Sequence, residues 1–305
     1  MESKHGDNWG WMLAVDFFFA GMGGAAVATA GILDFAGLGL TSAAAGFAGA
    51  VCIGIGALLL ILELGKPLRA WRVFTNPKAV LTFGAWNMTL AAGLGFAFGT
   101  FALPFAPWAG VIALKKIVAG LGVITGLIVA AYPGVLLARH KARPFWHGPG
   151  IIALFLTSSL VTGLSLHLLC HALLPAANPV LMGPLSIAAV ILLALQLVFW
   201  LGYILVKRSA GTEYEAAAAE RLVSGDLAAG FLAYLAGGTL LPLLLIGQAS
   251  PVLTALGALL TVGGGALMRL LTIKAGEYRT WLPGEQSFRA RLARGDEAFM
   301  TAWAQ

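Results

Sequence analysis

Eight runs of apolar residues dominate the sequence, each close to the roughly 20 residues that a helix needs to cross a bilayer. They lie near 9–33, 42–64, 80–102, 117–138, 151–174, 184–206, 228–248 and 252–273. Charged residues collect in the connections between the runs. The pattern therefore predicts an all-α integral membrane fold, with eight transmembrane helices in a single polytopic domain over 1–305.

Two segments outside the runs have patterns of their own. Residues 212–223 begin with a threonine followed by glutamates, which is typical of the start of a short helix. Residues 274–305 contain an amphipathic stretch from Glu285 to Trp303. We expect a cytoplasmic tail there, and it either lies on the lipid surface or packs on a partner.

The composition excludes a soluble domain. The sequence is 59% hydrophobic and 10% charged, whereas a soluble domain carries roughly 25% charged residues. Cys52 and Cys170 fall inside apolar runs and no CxxC motif occurs, so the protein cannot ligate an iron–sulfur cluster or a structural zinc by itself. No cleaved signal peptide is expected. No nucleic-acid partner is expected either, because the basic residues serve the membrane rim.

The distribution of basic residues predicts the orientation. Two of the nineteen Lys and Arg residues, Lys115 and Lys116, lie on the side away from the termini. The other seventeen lie at the termini, in the connections 65–79, 139–150 and 207–227, or at the end of the last run. Because cytoplasmic loops carry the excess of Lys and Arg, we predict a multi-pass protein of the inner membrane with both termini in the cytoplasm.

The runs are rich in glycine, which lets helix backbones approach closely. The sequence has 40 glycines. They include Gly23-Gly24, Gly54-x-Gly56, Gly93-x-Gly95 and the triplet 263–265. We interpret nearly all of them as packing positions.

Polar side chains recur at one depth inside six of the runs. They are Asp16, Glu63, Asn87, Tyr132, Ser158 with Ser159, and Arg269. Because successive helices alternate in direction, all lie within about 10 Å of the face that carries the termini. A carboxylate at such a depth is costly unless it is paired or functional. The set predicts a pocket that hydrogen-bonds a carbonyl or hydroxyl ligand and exchanges protons with it, and a quinone reaches this depth directly from lipid.

Each position also has a structural interpretation. Asn87 or Ser158 could form a helix–helix hydrogen bond. Glu63 could form a rim ion pair with a basic residue of the next loop, and Asp16 could bridge to Arg269. The joint occurrence of all six positions at one depth favours a site.

Haem is not expected in this protein. Only His167 and His171 lie inside a run, and they stand at i and i+4 on one helix near the far face. One helix cannot supply both axial ligands of a haem. We interpret these histidines, with Cys170, as polar packing at the far face or as part of a proton route.

Several stretches resemble the NrfD/polysulfide-reductase membrane subunit family. The first run carries Trp-x-x-x-x-Asp-Phe-Phe-x-Ala-Gly-x-Gly-Gly over 11–24, and the second ends in Leu-Glu-Leu-Gly-Lys-Pro-Leu-Arg-Ala-Trp-Arg-Val over 62–73, the most specific match. The fourth ends in Ala-Tyr-Pro-Gly-Val-Leu-Leu over 131–137. The fifth follows Arg-Pro-Phe-Trp-His-Gly-Pro over 143–149 and continues through 155–163.

The resemblance implies two four-helix bundles and a role in electron transport. Family members exchange electrons with a quinone, here menaquinone or ubiquinone. They anchor a ferredoxin-like iron–sulfur subunit that serves a molybdopterin catalytic subunit, and they carry no redox centre themselves. The protein alone is therefore expected to catalyse nothing. Many complexes of the family face the periplasm, whereas the basic residues here predict a cytoplasmic docking face.

The resemblance and the depth pattern together assign roles to individual residues. The quinone-binding set is Asp16, Tyr132, Asn87 and Ser158. The proton-relay set is Glu63, Asp16 and Arg269. Large basic and aromatic residues on short loops, which are enriched at interface hot spots, form the partner-docking set: Lys66, Arg69, Trp71, Arg72, Arg143 and Trp146. No metal ligands are assigned.

The alternative from another class is a proton or ion transporter. Polar residues at one depth, rather than across the whole membrane, weigh against it. A solute carrier would show paired broken helices at the midplane, and the sequence shows none.

Overall fold

The computed structural model describes residues 10–37, 39–63, 67–75, 80–141, 143–174, 179–248 and 250–277. Eight helices in these ranges are long and apolar enough to cross a membrane, which confirms the predicted fold class. These described ranges hold no strand. The predicted tail after residue 277 lies outside the described residues.

The helices follow one another along the sequence with short connections. Helices α1 to α5 are Trp11–Phe35, Gly39–Glu63, Val80–Thr100, Ile112–Ala138 and Pro149–Leu173, and a 3₁₀ helix, Pro67–Phe74, lies between α2 and α3. Helix α6 is Pro179–Ser209 and the short α7 is Glu213–Val223. The seventh span consists of α8 (Ala228–Leu235), a π-helical segment (Ala236–Leu240) and α9 (Leu241–Ile246). Helix α10 is Pro251–Ala275.

Helix α4 begins five residues before the predicted run, and the reason is an ion pair. Lys115 and Lys116 lie within its first turns, where their charge broke the apolar pattern. Asp34, at the end of α1, is 2.5 Å from the Nζ atom of Lys115 and 3.0 Å from that of Lys116. The carboxylate pairs with both lysines and offsets one of their two charges, so the helix continues through them.

The short helix α7 forms as its sequence predicts. The backbone N–H of Thr212 donates to the side chain of Glu215, and the Thr212 hydroxyl contacts the same carboxylate, which makes a capping box. Lys207 at the end of α6 also pairs with Glu215. These contacts fix α7 against the end of α6 on the terminus side of the membrane.

The spans pack as two four-helix bundles. In the first, α1 contacts α2 and α4, and α3 closes the ring between them. In the second, α5 contacts α6 and α10, and α9 lies between those two. Helix α5 also packs on α1, α2 and α4, and α10 reaches α1. The interface between the bundles therefore lies along α1, α5 and α10.

Glycines allow the central helix α1 to touch its neighbours at backbone distance. A Cβ added at Gly24 would lie 2.7 Å from the carbonyl oxygen of Gly126 in α4, and one at Gly23 would lie 2.8 Å from the backbone nitrogen of Ile53 in α2. In contrast, a Cβ at Gly54 or Gly93 would meet nothing within 4 Å. Only part of the glycine pattern therefore serves close packing.

Candidate functional site

Arg269 lies at the centre of the interface between the bundles and is fully buried. Its guanidinium donates to the hydroxyls of Ser158 and Ser159 at 3.0 and 2.9 Å. It also donates to the carbonyl oxygens of Phe17 and Gly265, at 3.2 and 3.0 Å. One arginine thus joins α1, α5 and α10 through neutral oxygens.

Aromatic rings complete the surroundings of this guanidinium. The rings of Phe18 and Phe155 each lie with their centroid 5.7 Å from its central carbon. Such rings attract a cation with their negative faces. These rings and the four hydrogen bonds hold the arginine in place between the bundles.

Asp16 and Tyr132 are both buried in the first bundle, with 3% and 7% of their surface exposed. Asp16 faces the backbone of α2 at Gly56, where an added Cβ would lie 3.1 Å from Oδ1 of the carboxylate. The helices that carry the two residues, α1 and α4, pack against each other. The structure therefore buries these two predicted site residues in the same bundle.

The Tyr132 hydroxyl is a buried group that can donate a hydrogen bond. Its ring packs directly against the backbone of α3 at Gly84, where any side chain would overlap the ring. Within the described ranges the hydroxyl oxygen is buried without a hydrogen-bond partner. A buried hydroxyl left in this state costs about 1–3 kcal/mol, so it marks a place where a ligand or an ordered water fits.

The structure separates the two other predicted quinone-binding residues. Ser158 is fully buried and accepts a hydrogen bond from Arg269, so it belongs to the interface between the bundles. Asn87 is half-buried, and its amide donates to the carbonyl oxygen of Phe83 in its own helix at 2.9 Å. It lines a groove beside Trp86 and Leu90, which are 57% and 51% exposed. Asn87 therefore lies toward the lipid side of α3.

The predicted docking residues also divide into two groups. Arg69, Trp71 and Arg72 are exposed on the 3₁₀ helix that follows α2. Lys66 lies outside the described residues, as does the side chain of Glu63. Among the ion pairs within the described ranges, none involves Arg69 or Arg72.

Arg143 and Trp146 are buried and hold the loop between α4 and α5 to the end of α10. The Arg143 guanidinium stacks 4.4 Å from the indole centroid and donates to the carbonyl oxygen of Gly276 at 2.9 Å. The indole N–H donates to the carbonyl oxygen of Thr272 at 2.9 Å, and Trp146 has no exposed surface. Arg143 is 6% exposed. These contacts favour an architectural role for the two residues over the predicted role in docking.

Over the second bundle, three basic residues on the same side of the membrane have acidic partners: Lys207, Arg208 and Arg221. Arg208 pairs with Glu220 at 3.0 Å, and Arg221 pairs with Asp226 at 2.6 Å. Burial raises the pKa of Glu215, but hydrogen bonds from Lys207 and Thr212 lower this pKa more, so it falls below its usual value. Arg69 and Arg72, over the first bundle, have no such acidic partner among the described residues.

Sequence reasoning missed one buried acid, Asp34. It sits at the end of an apolar run, where an acid usually reaches water, and its partners are far away in the sequence. The signal was present in Lys115-Lys116, an isolated basic pair on the side that otherwise lacks such residues. Because Asp34 is matched by two lysines, we assign it to the architecture.

The buried histidines contact backbone carbonyl oxygens. Nε2 of His167 is 2.9 Å from the carbonyl oxygen of Ala26, and Nδ1 of His171 is 3.2 Å from the carbonyl oxygen of His167. No group of three or more His, Cys, Asp or Glu residues in the described ranges could hold a metal ion.

These features define a class: a polytopic membrane protein of two bundles, with a buried polar site near one face and exposed arginines beside it. A family model described as polysulphide reductase, NrfD, matches residues 2–279. The protein therefore belongs to the NrfD family, as the resemblance of its first, second, fourth and fifth spans implied.

One relative extends the comparison. The protein is 32% identical over 183 residues to the C subunit of polysulfide reductase from Wolinella succinogenes. The match covers 53% of the present sequence and 57% of the relative. The protein thus matches little more than half of that relative's length.

Proposed function

We propose that this protein is the quinone-reactive membrane subunit of a multi-subunit oxidoreductase in the inner membrane. It would pass electrons between a partner iron–sulfur subunit and the quinone pool, while a molybdopterin subunit performs the other half of the reaction. The observation that carries the proposal is the buried Tyr132 hydroxyl, which lacks a hydrogen-bond partner within the described residues, in the bundle that also buries Asp16. Membership of the NrfD family supports the redox role.

The two side chains have the chemistry that a quinone head group requires. Reduction of a quinone to a quinol takes two electrons and two protons. The Tyr132 O–H can donate a hydrogen bond to a quinone carbonyl, and a carboxyl group such as Asp16 can hold a proton and release it. Tyr132 lies on α4, one side of which borders lipid, from which a quinone would enter.

Other residues hold or supply this site. Arg269 with Ser158 fixes α1 against α5 and α10, and thereby fixes the helix that carries Asp16. Glu63 ends α2 near the same face. We propose that Glu63 and Arg269 serve the route by which protons reach the head group, and that Asn87 contacts the ligand from the lipid side.

The exposed 3₁₀ helix is the proposed docking surface for the iron–sulfur subunit. It carries Arg69, Trp71 and Arg72, and Lys66 directly precedes it. Lys207, Arg208 and Arg221 over the second bundle are paired with acidic residues. Arg69 and Arg72 have no acidic partner among the described residues. A ferredoxin-like protein with an acidic surface fits such a patch. Docking here places a partner cluster over the bundle that holds Asp16 and Tyr132.

The test removes the single hydroxyl of Tyr132. In Tyr132→Phe, the ring still packs on Gly84 but can no longer donate to a carbonyl. We expect quinone-linked turnover per assembled complex to fall about tenfold or more, in line with loss of a buried hydrogen bond at the reacting group. Turnover of the partner subunits with a soluble redox dye should stay unchanged, because their chemistry lies outside this protein.

Tyr234→Phe is the matched control. Tyr234 is also a buried tyrosine, but it lies in the second bundle and its hydroxyl accepts a hydrogen bond from Gln196 at 3.0 Å. This variant should lower the amount of complex rather than turnover per complex. Equal quinone-linked turnover per complex in wild type and Tyr132→Phe would refute the site. Purification of a lone, transport-active protein without iron–sulfur or molybdopterin subunits would refute the function.

A further inference from the structure

A second cavity lies at the opposite face of the membrane, far from Asp16 and Tyr132. It has a volume of about 710 Å³ and is bounded by the end of α5, the first half of α6, the end of α9 and the start of α10. Two residues on its rim, Ile187 and Ile191, are 64% and 60% exposed and face the lipid. The cavity can therefore be entered from the bilayer.

The lining changes from polar to apolar with depth. His171, Gln248 and Thr254 lie at helix ends, near the membrane surface. From Met182 to Ile191 the cavity follows α6 for about 13 Å toward the bilayer centre, at 1.5 Å per residue. This shape fits an amphiphile with a hydrogen-bonding head at the surface and a hydrocarbon body along α6.

The lining carries no formal charge. It contains neither Lys nor Arg, and neither Asp nor Glu, among the described residues. A phosphate head group would find no cation to neutralise it, and burying an uncompensated charge is costly. The lining therefore favours a neutral head group.

His171 defines which neutral head group fits. Its side chain is 5% exposed and borders the cavity, and its Nδ1 is 3.2 Å from the carbonyl oxygen of His167. A carbonyl oxygen can only accept, so Nδ1 carries the proton and Nε2 of the neutral ring is an acceptor. Nε2 is buried with no partner among the described residues. It is satisfied by a ligand that donates an O–H.

We infer that this cavity binds the reduced head group of a quinol, whose hydroxyl donates to Nε2 of His171. The hydrocarbon tail lies against Ile187 and Ile191. The choice of a quinol among hydroxyl-bearing lipids rests on the proposed function; the preference for a donor over a pure acceptor rests on His171 alone. The protein thus has a quinol site on the face opposite its proposed reaction site.

The test titrates the intact complex in lipid nanodiscs with decylubiquinol and, separately, with its oxidised form. Wild type should bind two quinols per membrane subunit. His171→Leu removes the acceptor and should weaken quinol binding at one site about tenfold, with little effect on the oxidised form, which cannot donate. His171→Gln restores a side-chain acceptor and should recover part of this affinity.

Ile191→Trp tests the same cavity from its lipid-facing rim, where a larger side chain is accommodated. It should remove one bound quinol per membrane subunit and leave quinone-linked turnover at the other face intact. Unchanged stoichiometry and unchanged quinol preference in both His171→Leu and Ile191→Trp would overturn the inference. So would a diacylglycerol that occupies the cavity and that quinol does not displace.

The same titration separates this inference from the proposed function. Tyr132→Phe tests quinol binding at the proposed reaction site. If Tyr132→Phe weakens quinol binding at one site while Ile191→Trp leaves affinity and stoichiometry unchanged, the far-face site is refuted and the proposed function stands. If only Ile191→Trp has an effect, the reaction site is refuted instead.

Discussion

Two buried charges stand at opposite faces of this membrane core, and they are held in different ways. At the far face, Asp34 meets Lys115 and Lys116 at 2.5 and 3.0 Å, so its charge is cancelled in place. At the terminus side, Arg269 is fully buried and bonds neutral oxygens of three helices. Burial of a charge therefore does not mark a site by itself; the partners of the charge do.

The difference has a physical consequence. The Asp34 carboxylate is paired directly with opposite charge, whereas the Arg269 cation is solvated by hydroxyl and carbonyl dipoles and keeps its positive field in a low-dielectric interior. Asp16 and Tyr132 lie on the helices beside that cation. We therefore assign the far-face pair to architecture and the terminus-side set to chemistry.

Removal of the buried cation should have the largest effect. Arg269→Met leaves the Ser158 and Ser159 hydroxyls and the Phe17 carbonyl without their donor, and each hydrogen bond to a charged group contributes about 1.5–3 kcal/mol. We expect little assembled protein in membranes and a clearly lower unfolding temperature in detergent. In the control Arg208→Met, a surface pair worth about 0–1 kcal/mol is lost, and the change should be small. Equal stability of the two variants would contradict the contrast.

Charge reversal on the exposed 3₁₀ helix should act on assembly rather than on folding. In Arg69→Glu with Arg72→Glu, we expect the iron–sulfur subunit to be lost on co-purification while the membrane subunit still accumulates. Arg208→Glu, on the same side over the second bundle, is the control and should retain the partner. Retention of the partner in the double variant, as in the Arg208→Glu control, would exclude the 3₁₀ helix as the docking surface.

The smallest effect on stability is expected at the ion pair of Lys207 and Glu215. Like the pairs of Asp34 with its lysines, it joins two helices, but Glu215 lies outside the membrane spans. Burial raises the pKa of Glu215 but its hydrogen bonds lower it more, so the folded state holds this proton less tightly than the unfolded state. The pair therefore stabilises α7 fully above the usual carboxyl pKa and loses this effect as the pH falls through the lowered pKa.

Hydrogen exchange of α7 measures this directly. Protection, corrected for intrinsic exchange rates, should be higher at pH 7 than at pH 3, because the pair forms only while Glu215 is ionised. Glu215→Gln should remove the pH dependence. A pH dependence of the same size in Glu215→Gln would assign it to another group.

The spans could be predicted because apolar length alone identifies a membrane helix, and depth follows from the rise per residue. The direction in which a side chain points could not be predicted, because a helix that is apolar on all sides has no distinct apolar face to show which side is buried. Asn87 shares its depth with Tyr132, yet its amide bonds its own helix beside lipid-exposed residues.

Contacts between residues far apart in the sequence could not be predicted from the sequence either. Trp146 is a loop tryptophan by sequence, but its indole bonds a carbonyl oxygen 126 residues away. The lysines that neutralise Asp34 lie in another helix, at the start of a different apolar run. In both cases the residue type predicted a surface, and the tertiary structure buried it.

The most direct test of the central claim compares two buried aspartates of one helix. Asp16→Asn and Asp34→Asn make the same chemical change at opposite ends of α1, and both positions are 3% exposed. We predict that Asp16→Asn abolishes quinone-linked turnover per assembled complex, while dye-linked turnover persists. Asp34→Asn should reduce the amount of complex but keep its quinone-linked turnover. Normal turnover per complex in Asp16→Asn, or its loss in both variants alike, would contradict the account.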